Sequence, residues 1–218
     1  MKKYPRTFHF PFSPEVHSDD KVIDEKYLSN FINKEIIITE KYDGENSCLK
    51  PNGGVFARSH ALPTFNPWSD WLKNYYHERL HLMNPDYWYF GENMYAIHSI
   101  EYSNLNSFFY LFAIYDTINN IWLSFAEIEE EAIRLNMETV KVIFKGTMKS
   151  LSEIEKFLEK NIQNKSVLGG HCEGFVTRTP DRIEVEDFHK KVVKYVRRGH
   201  VQTDEHWKAN WKKASLIK

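Results

Sequence analysis

The chain has 218 residues, with 29 basic and 30 acidic side chains and a formal net charge of −1. This length can bury one good hydrophobic core, and the near-zero charge excludes a global basic field that binds nucleic acid indiscriminately. Its two cysteines exclude a disulfide framework and a cysteine-based metal site, so we expect a reducing, cytoplasmic setting. No segment has the length and apolarity of a signal peptide or a membrane span, and we expect no membrane partner.

Residues 1–20 are predicted to form an extended N-terminal arm, because three prolines oppose helix formation there and three phenylalanines alternate along it. Arg6 and His9 have two interpretations, as phosphate contacts or as surface residues. A helix is predicted over residues 21–33, since residues 18–20 offer N-cap chemistry. The predicted inner face of that helix comprises Val22, Tyr27, Leu28 and Phe31.

The next segment joins an apolar strand to a charged turn. Ile36, Ile37 and Ile38 predict a strand buried on both faces, because consecutive β-branched residues suit a covered sheet. The strand leads into Lys41 and stops at Gly44, where the backbone can turn. A lysine at a strand end is either a solvated charge or a nucleophilic amine, and these few residues alone do not separate the two.

A hairpin is predicted after the turn, with strands over residues 45–50 and 55–59 and a turn over 51–54. It brings Arg58 near Lys41. A planar guanidinium can bind two phosphate oxygens at once, so an arginine beside this lysine suits a phosphate site. The alternative is that Arg58 is simply an exposed residue of the hairpin.

The middle of the chain is predicted to be mostly structural. A helix over residues 66–83 has an aromatic stripe typical of a core-facing side, and aromatic strands follow over 87–93 and 107–116. Glu92 lies near the end of the first of these strands, where its carboxylate could accept a hydrogen bond from a ribose hydroxyl or hold a metal-bound water. A capping box at Ser124–Glu127 opens a helix to about residue 136. A strand over 139–145 and a helix over 151–163 follow.

Glu173 precedes a glycine and an apolar strand, which is typical of a carboxylate presented at the edge of a pocket. Divalent cations such as Mg²⁺ prefer oxygen ligands, so Glu173 is a predicted metal ligand. His171 and Cys172 lie beside it but lack two further ligands, and we expect no zinc site there. The chain is expected to turn at 179–181 and to run back over 183–187, with Glu184 and Glu186 solvated.

Six segments resemble, in order, the motifs of the covalent nucleotidyltransferases, which comprise ATP- and NAD-dependent polynucleotide ligases and mRNA capping enzymes. The segments are residues 39–46 for motif I, 56–59 for Ia, 90–93 for III, 109–116 for IIIa, 173–176 for IV and 190–197 for V. The set is most similar to the ATP-dependent RNA ligase branch, and the resemblance covers residues 35–198.

The resemblance implies an α+β fold, a nucleotidyltransferase (ATP-grasp-like) ligase core of antiparallel sheets with flanking helices. Residues 1–198 would form this domain, and 199–218 a short basic tail. Only 20 residues follow Arg198. That is too few for the oligonucleotide-binding (OB) barrel of DNA ligases and capping enzymes, so no OB domain is expected.

The resemblance also implies the site residues. Lys41 would be the nucleophile, Glu40 would help to recognise adenine, and Phe112 would stack on it. Asn46 would lie near the phosphate and ribose, and Glu92 would bind the ribose. The full cofactor-binding set is Thr39, Glu40, Asn46, Arg58, Glu92, Phe112, Glu173, Lys191 and Lys194.

Motif V departs from the common pattern of two lysines separated by one residue. The contact with the α-phosphate is assigned first to Lys194 and second to Lys191.

The implied activity is ATP-dependent RNA ligation with ATP and Mg²⁺ (or Mn²⁺) as cofactors. The enzyme would seal 5′-phosphate and 3′-hydroxyl RNA ends through lysyl-AMP and adenylylated RNA, as in RNA repair, with an end-healing protein as a candidate partner. A DNA ligase or capping-type core is one alternative. A non-catalytic module that binds RNA ends is another, and the intact Lys41, Glu92 and Glu173 argue against it.

The end of the chain is basic and aromatic. From residue 194 onward there are seven basic residues and only two acidic ones, Asp204 and Glu205. The basic residues are Lys194, Arg197, Arg198, Lys208, Lys212, Lys213 and Lys218, and the aromatic rings between them are His200, His206, Trp207 and Trp211. Such a tail fits RNA contact, or an amphipathic helix packed on the body. Both interpretations stay open here.

Overall fold

The computed structural model describes residues 3–58, 62–199 and 210–217. The strands are β1 Phe8–His9, β2 Glu35–Lys41, β3 Glu45–Lys50, β4 Gly54–Ala57, β5 Tyr87–Asn93, β6 Phe109–Asp116, β7 Ile121–Trp122, β8 Glu138–Thr139, β9 Val142–Thr147, β10 Gly174–Arg178, β11 Ile183–Glu184 and β12 Val192–Val196. The α-helices are α1 Asp70–Arg79, α2 Phe125–Arg134, α3 Leu151–Asn161 and α4 Phe188–Lys191, and 3-10 helices span Glu25–Phe31, Pro67–Ser69 and Val185–Asp187.

Two sheets make up the fold. The first has the order β1-β12-β10-β2-β9, and the second has the order β11-β7-β6-β5-β3-β4 with β8 beside β6. All neighbours are antiparallel except β1 with β12 and β6 with β8. The mixed α+β fold with antiparallel sheets and few helices is therefore confirmed.

The chain crosses from the first sheet to the second immediately after Lys41, because β2 belongs to the first sheet and β3 to the second. β2 itself is covered on both faces, as the isoleucine run predicts. Ile37 packs in the core that α1 and α2 share with the second sheet, whereas Ile36 and Ile38 pack in the core that α3 shares with the first. Since side chains alternate along a strand, Thr39 and Lys41 follow Ile37 toward the space between the sheets.

The predicted helix over residues 21–33 is wrong in type and extent. A 3-10 helix begins at Glu25, capped by Asp24, whose side chain accepts the backbone N–H of Lys26. The N-cap is therefore not among residues 18–20, where the sequence predicts it, and the Asp20 carboxylate instead accepts from the Lys194 amine. Leu28 and Phe31 are buried as predicted, but Val22 is 43% exposed.

Other elements match their predictions with local differences. The capping box at Ser124 and Glu127 is present, and α3 begins at the predicted residue. The predicted helix over 66–83 is shorter, since only Asp70–Arg79 is α-helical. The predicted strand over 183–187 ends at Glu184, where the 3-10 helix Val185–Asp187 begins.

Residues 210–217 of the tail lie on the body as extended chain rather than as a helix. Trp211 packs against Trp68 and Tyr95 at ring-centroid distances of 6.1 and 6.0 Å. The Ile97 N–H donates to the Lys212 carbonyl, and Ala214 is buried. The predictions for His200, His206, Trp207, Lys208 and Lys218 concern positions outside the described residues. None of the helices in the described ranges is long and apolar enough to cross a membrane.

A close backbone approach at Gly174 predicts that Gly174→Ala is destabilising. A Cβ there would lie 2.2 Å from the Tyr195 carbonyl oxygen on the neighbouring strand, so β10 and β12 would have to separate. We expect a loss of about 1–3 kcal/mol in the free energy of unfolding, measured by denaturant titration. Gly53→Ala is the matched control, because its Cβ would meet no atom closer than 3.4 Å. Equal stability of the two variants would contradict the prediction.

Candidate active site

A cavity of about 380 Å³ lies between the two sheets. It is lined by eight of the ten predicted site residues: Thr39, Glu40, Lys41, Asn46, Arg58, Glu92, Phe112 and Lys194. Strand register explains the convergence, because β2, β3, β5, β6, β10 and β12 all border the space between the sheets. The cavity therefore collects predicted residues that are up to 155 positions apart in the chain, Thr39 and Lys194.

Lys41 and Glu173 form an ion pair at one end of this cavity. The Lys41 Nζ lies 2.7 Å from Glu173 Oε1 and 2.8 Å from Oε2, so both carboxylate oxygens accept from the amine. The pair forms because Gly174 lies opposite Lys41 in the β10–β2 ladder, which places Glu173 beside the lysine. The Glu173 side chain is 5% exposed and that of Lys41 is 29% exposed.

Charge and burial oppose each other at this pair. Burial lowers the pKa of Lys41, but the negative charges of Glu173, Glu92 and Asp43 outweigh it and raise the pKa above the ordinary lysine value. Burial raises the pKa of Glu173 to about 7 and that of Glu92 to about 8, although the charge of Lys41 opposes both shifts. Lys41 is therefore a protonated amine in this state, and its nucleophilic form requires that the carboxylates around it be neutralised or displaced.

Asp43 and Gly44 build the turn that holds Lys41. Asp43 accepts the backbone N–H groups of Ser99 and Ile100, each at 2.8 Å. The Gly44 N–H donates to Glu92 Oε1 at 3.1 Å. A side chain at Gly44 would not fit, since a Cβ would lie 2.7 Å from the Asn93 carbonyl oxygen.

Asn46 and Glu92 lie opposite each other on β3 and β5. Both line the cavity, and the Asn46 Oδ1 is buried without a hydrogen-bond partner. A buried acceptor without a partner is costly, so the site offers an unused position for a ligand donor.

Phe112 reaches the cavity because of an irregularity in the second sheet. The ladder pairs Phe90 with Ala113 but Gly91 with Leu111, so Phe112 is the extra residue of a β-bulge. Bulges redirect side chains and are frequent next to active sites. Val176 lines the cavity from the other sheet, and both side chains are half-buried.

Glu40 has its carboxylate on the opposite side of β2 from Lys41. Its Oε2 accepts the Val167 N–H at 3.2 Å, and burial raises its pKa. The carboxylate therefore anchors the loop before β10, while the residue also lines the cavity. Thr39 lies on the cavity side and donates to the Val176 carbonyl at 3.4 Å.

The two motif V lysines that are predicted to contact the α-phosphate differ in their placement. Lys194 lines the cavity from β12, where its Nζ is 3.1 Å from Asp20 Oδ1 and burial lowers its pKa. Lys191 ends α4, is not among the residues that line the cavity, and has its Nζ 3.8 Å from Asp187 Oδ2. Arg58 is exposed where it lines the cavity. The expectation for Ser59 of motif Ia concerns a position outside the described residues.

Sequence reasoning missed the contribution of the N-terminal arm. Its Tyr4, Arg6, Asp19 and Asp20 line the same cavity, as does Arg178 from β10. Only the interpretation of Arg6 and His9 as phosphate contacts pointed that way. Of these two, Arg6 lines the cavity, whereas His9 is buried against Ser13 and Asp20. The local pattern at 18–20 predicted an N-cap instead, because nothing in it encodes the distant Lys194.

No group of three His, Cys, Asp or Glu side chains that could hold a metal ion occurs in residues 3–58, 62–199 and 210–217. A metal at Glu173 would therefore need ligands from a bound molecule or water. Mg²⁺ is commonly bound in this way, by one or two carboxylates together with substrate phosphates.

Comparison with family models identifies one family. A family model described as RNA ligase matches residues 34–196. No curated protein sequence matches the chain. Solved structures of Naegleria gruberi RNA ligase match with probability 1.00. The apo form of one variant gives a TM-score of 0.62 at 17% identity, over 92% of this chain and 58% of that chain.

Two further Naegleria gruberi variants give similar values. One with ATP and Mn has a TM-score of 0.63 at 18% identity, over 93% of this chain and 57% of that chain. One with AMP and Mn has a TM-score of 0.61 at 17% identity, over 92% of this chain and 59% of that chain. The chain thus spans less than two thirds of the length of these structures, and at this identity the likeness concerns the fold.

The raised pKa of Lys41 can be tested without any cofactor. Glu173→Gln removes the negative charge that raises the pKa of Lys41 most, so this pKa should fall. The measurement is the pH dependence of Lys41 acylation by an amine-specific reagent, followed by peptide mass spectrometry. Glu159→Gln, an exposed change on α3, is the control. The same midpoint in the Glu173→Gln variant and the wild type would refute the assigned cause.

Proposed function

The chain belongs to the RNA ligase family, and we propose that it is an ATP-dependent RNA ligase that forms lysyl-AMP on Lys41. AMP then passes to a 5′-phosphate RNA end, and a 3′-hydroxyl displaces it to seal the strand. The Lys41–Glu173 pair at the charged end of the cavity carries this proposal.

The cavity is divided in a way that suits a nucleotide. Lys41 pairs with Gly174 and Ile37 with Arg178, so the two ends of the β2–β10 ladder are about 13 Å apart. Lys41 and Glu92 line the charged end, where Glu173 binds Lys41 without itself lining the cavity, and Trp122 and Phe188 line the aromatic end. We assign the phosphates to the former and the base to the latter.

In the first step the Lys41 amine loses a proton to solvent and its Nζ attacks the α-phosphorus of ATP. A nitrogen–phosphorus bond forms, the bond from that phosphorus to the bridging oxygen breaks, and pyrophosphate leaves. Phosphoryl chemistry depends mainly on positioning and on neutralising charge. Lys194 and Arg58 supply cations at the cavity, and Lys191 would reach it only if its contact with Asp187 were broken. Incoming phosphates also give Lys194 a partner to replace Asp20.

Glu173 has two roles in this scheme. Before nucleotide binding it holds Lys41 in place as a protonated amine. Titles of the related structures describe Naegleria gruberi RNA ligase with ATP and Mn, and Glu173 would hold the corresponding Mg²⁺ or Mn²⁺ here together with ligand phosphates. Such a metal neutralises phosphate charge. If Glu173 held such a metal, its negative charge would be neutralised and would no longer raise the pKa of Lys41.

The remaining assignments follow the cavity walls. Phe112 stacks on adenine, with Val176 on the facing sheet. Glu92 binds the ribose, and the unpartnered Asn46 Oδ1 accepts from the ribose side of the nucleotide. Glu40 also lines the cavity and contributes there to adenine recognition. Its carboxylate accepts the Val167 N–H and so holds the loop before β10.

RNA with 5′-phosphate and 3′-hydroxyl ends is the proposed substrate, and an end-healing protein is the proposed partner in RNA repair. Lys212 and Lys213 are exposed on the packed part of the tail, so they stay available to an RNA backbone. The intact Lys41 pair supports a catalytic protein over a module that only binds RNA ends.

Lys41→Ala and Lys41→Arg are both expected to abolish lysyl-AMP formation. Alanine removes the amine, and a guanidinium stays protonated and does not attack. The measurement is the transfer of label from α-³²P-ATP to the protein, detected on a denaturing gel. Lys160→Ala, an exposed lysine on α3, is the control and should label like the wild type.

Label on either Lys41 variant, with a normal melting curve, would refute the assignment. Absence of label on the wild-type protein with Mg²⁺ and Mn²⁺ would refute the proposed first step. Sealing assays on nicked duplexes with RNA or DNA on each side of the nick separate an RNA ligase from a DNA ligase core.

A further inference from the structure

Tyr4, from the N-terminal arm, lies in a cage of four aromatic rings. Its ring centroid is 5.1 Å from Phe112, 5.2 Å from Phe188, 5.4 Å from Trp122 and 5.5 Å from Phe90. Three of these contacts are edge-on, and the contact with Phe90 is tilted. Arrangements of this kind are the favourable geometries for aromatic pairs.

The cage is the aromatic end of the nucleotide cavity. Tyr4 lines that cavity together with Phe112, Trp122 and Phe188. These rings come from β6, β7 and α4, which are far apart in the sequence, so the arm fills a space that the rest of the fold leaves between them. Phe112 is the ring that the proposed function places on adenine.

The position of Tyr4 is fixed by the segment that follows it. β1 pairs with β12, so that Phe8 lies opposite Val193 and His9 opposite Lys194. Phe10 is fully buried. The Ser13 hydroxyl accepts the Val196 N–H at 3.0 Å. An arm held at these points delivers Tyr4 to the cage as a regular part of the fold.

The cavity keeps a volume of about 380 Å³ with Tyr4 in place. Small-molecule sites commonly have volumes of about 300–1,000 Å³. The ring therefore leaves room for a ligand, and it acts as a wall of the cavity rather than as its occupant.

We propose that Tyr4 is a positioning residue for the nucleotide base: its ring closes the aromatic end of the cavity and holds Phe112 at the angle for stacking. This inference rests on the proposed ATP site. It extends that site beyond residues 34–196, which match the family model, to the arm that precedes them.

The test compares Tyr4→Phe, Tyr4→Ala and the control Tyr27→Ala, a half-buried tyrosine outside the cavity. Tyr4→Ala should weaken binding of an ATP analogue with a methylene bridge between the α- and β-phosphorus about ten-fold, the size expected for one lost aromatic contact. Tyr4→Phe keeps the ring and should bind like the wild type. In lysyl-AMP formation Tyr4→Ala should raise KM for ATP and leave kcat within about two-fold.

A gain of function provides the sharper readout. With the wall removed, Tyr4→Ala should accept at least one ATP analogue with a bulky group on the base, from a panel substituted at N6, C2 and C8, that the wild type rejects. Loss of packing alone would not produce such a gain, and Tyr27→Ala should not show it.

Three results would overturn the proposal. Tyr4→Ala could bind the analogue as the wild type does, or Tyr27→Ala could have an equal effect. Tyr4→Ala could also bind the analogue more tightly, which would mean that the Tyr4 ring occupies the base site. If Tyr4→Ala does not fold, Tyr4→Leu replaces it under the same criteria, because leucine keeps apolar volume without the ring. Binding of the non-reactive analogue is independent of lysyl-AMP formation. A protein that never labels with ATP but shows the Tyr4 effect would refute the ligase proposal and leave this one standing.

Discussion

The bidentate ion pair between Lys41 and Glu173 is the interaction on which the site depends. It joins the ends of two neighbouring strands and places a buried carboxylate against the amine that would attack ATP. A buried pair of this kind adds little net stability, because desolvation offsets the attraction. The pair instead fixes the position of the amine and keeps it protonated, until other charges compete for the carboxylate. The close approaches at Gly44 and Gly174 allow the backbone to bring the two groups together.

The two-sheet architecture separates charge from aromatic surface within one cavity. Strand β2 of the first sheet ends at Lys41, and the chain then passes directly into β3 of the second sheet. The turn between these strands therefore connects the two walls of the cavity. The bulge at Phe112 turns one ring of a mostly buried aromatic strand into the cavity. At the other side the arm holds Lys194 through Asp20 and closes the aromatic end with Tyr4. Each wall of the cavity therefore comes from a different part of the chain.

Particular elements show which predictions local sequence supports. The isoleucine run and the Ser124 capping box are local patterns, and both appear as predicted. The N-cap chemistry at residues 18–20 is also a local pattern, but the prediction failed: Asp24 caps the helix, and Asp20 binds Lys194, 174 positions away. The sequence ranks Lys194 ahead of Lys191 for the phosphate contact, and the structure separates them: Lys191 ends a helix outside the cavity, whereas Lys194 lines the cavity from a strand.

The sequence by itself determined the family, the order of the motifs, the buried central strand and eight of the residues that line the cavity. Those features follow from residue identity and spacing, which the chain carries locally. Only the tertiary structure decided the partner of Lys41, the direction of the Glu40 carboxylate, the exposure of Phe112 and the entry of Tyr4 into the site. These depend on strand register and on contacts between residues far apart in the chain, and one register shift moves a side chain to the opposite face of its sheet.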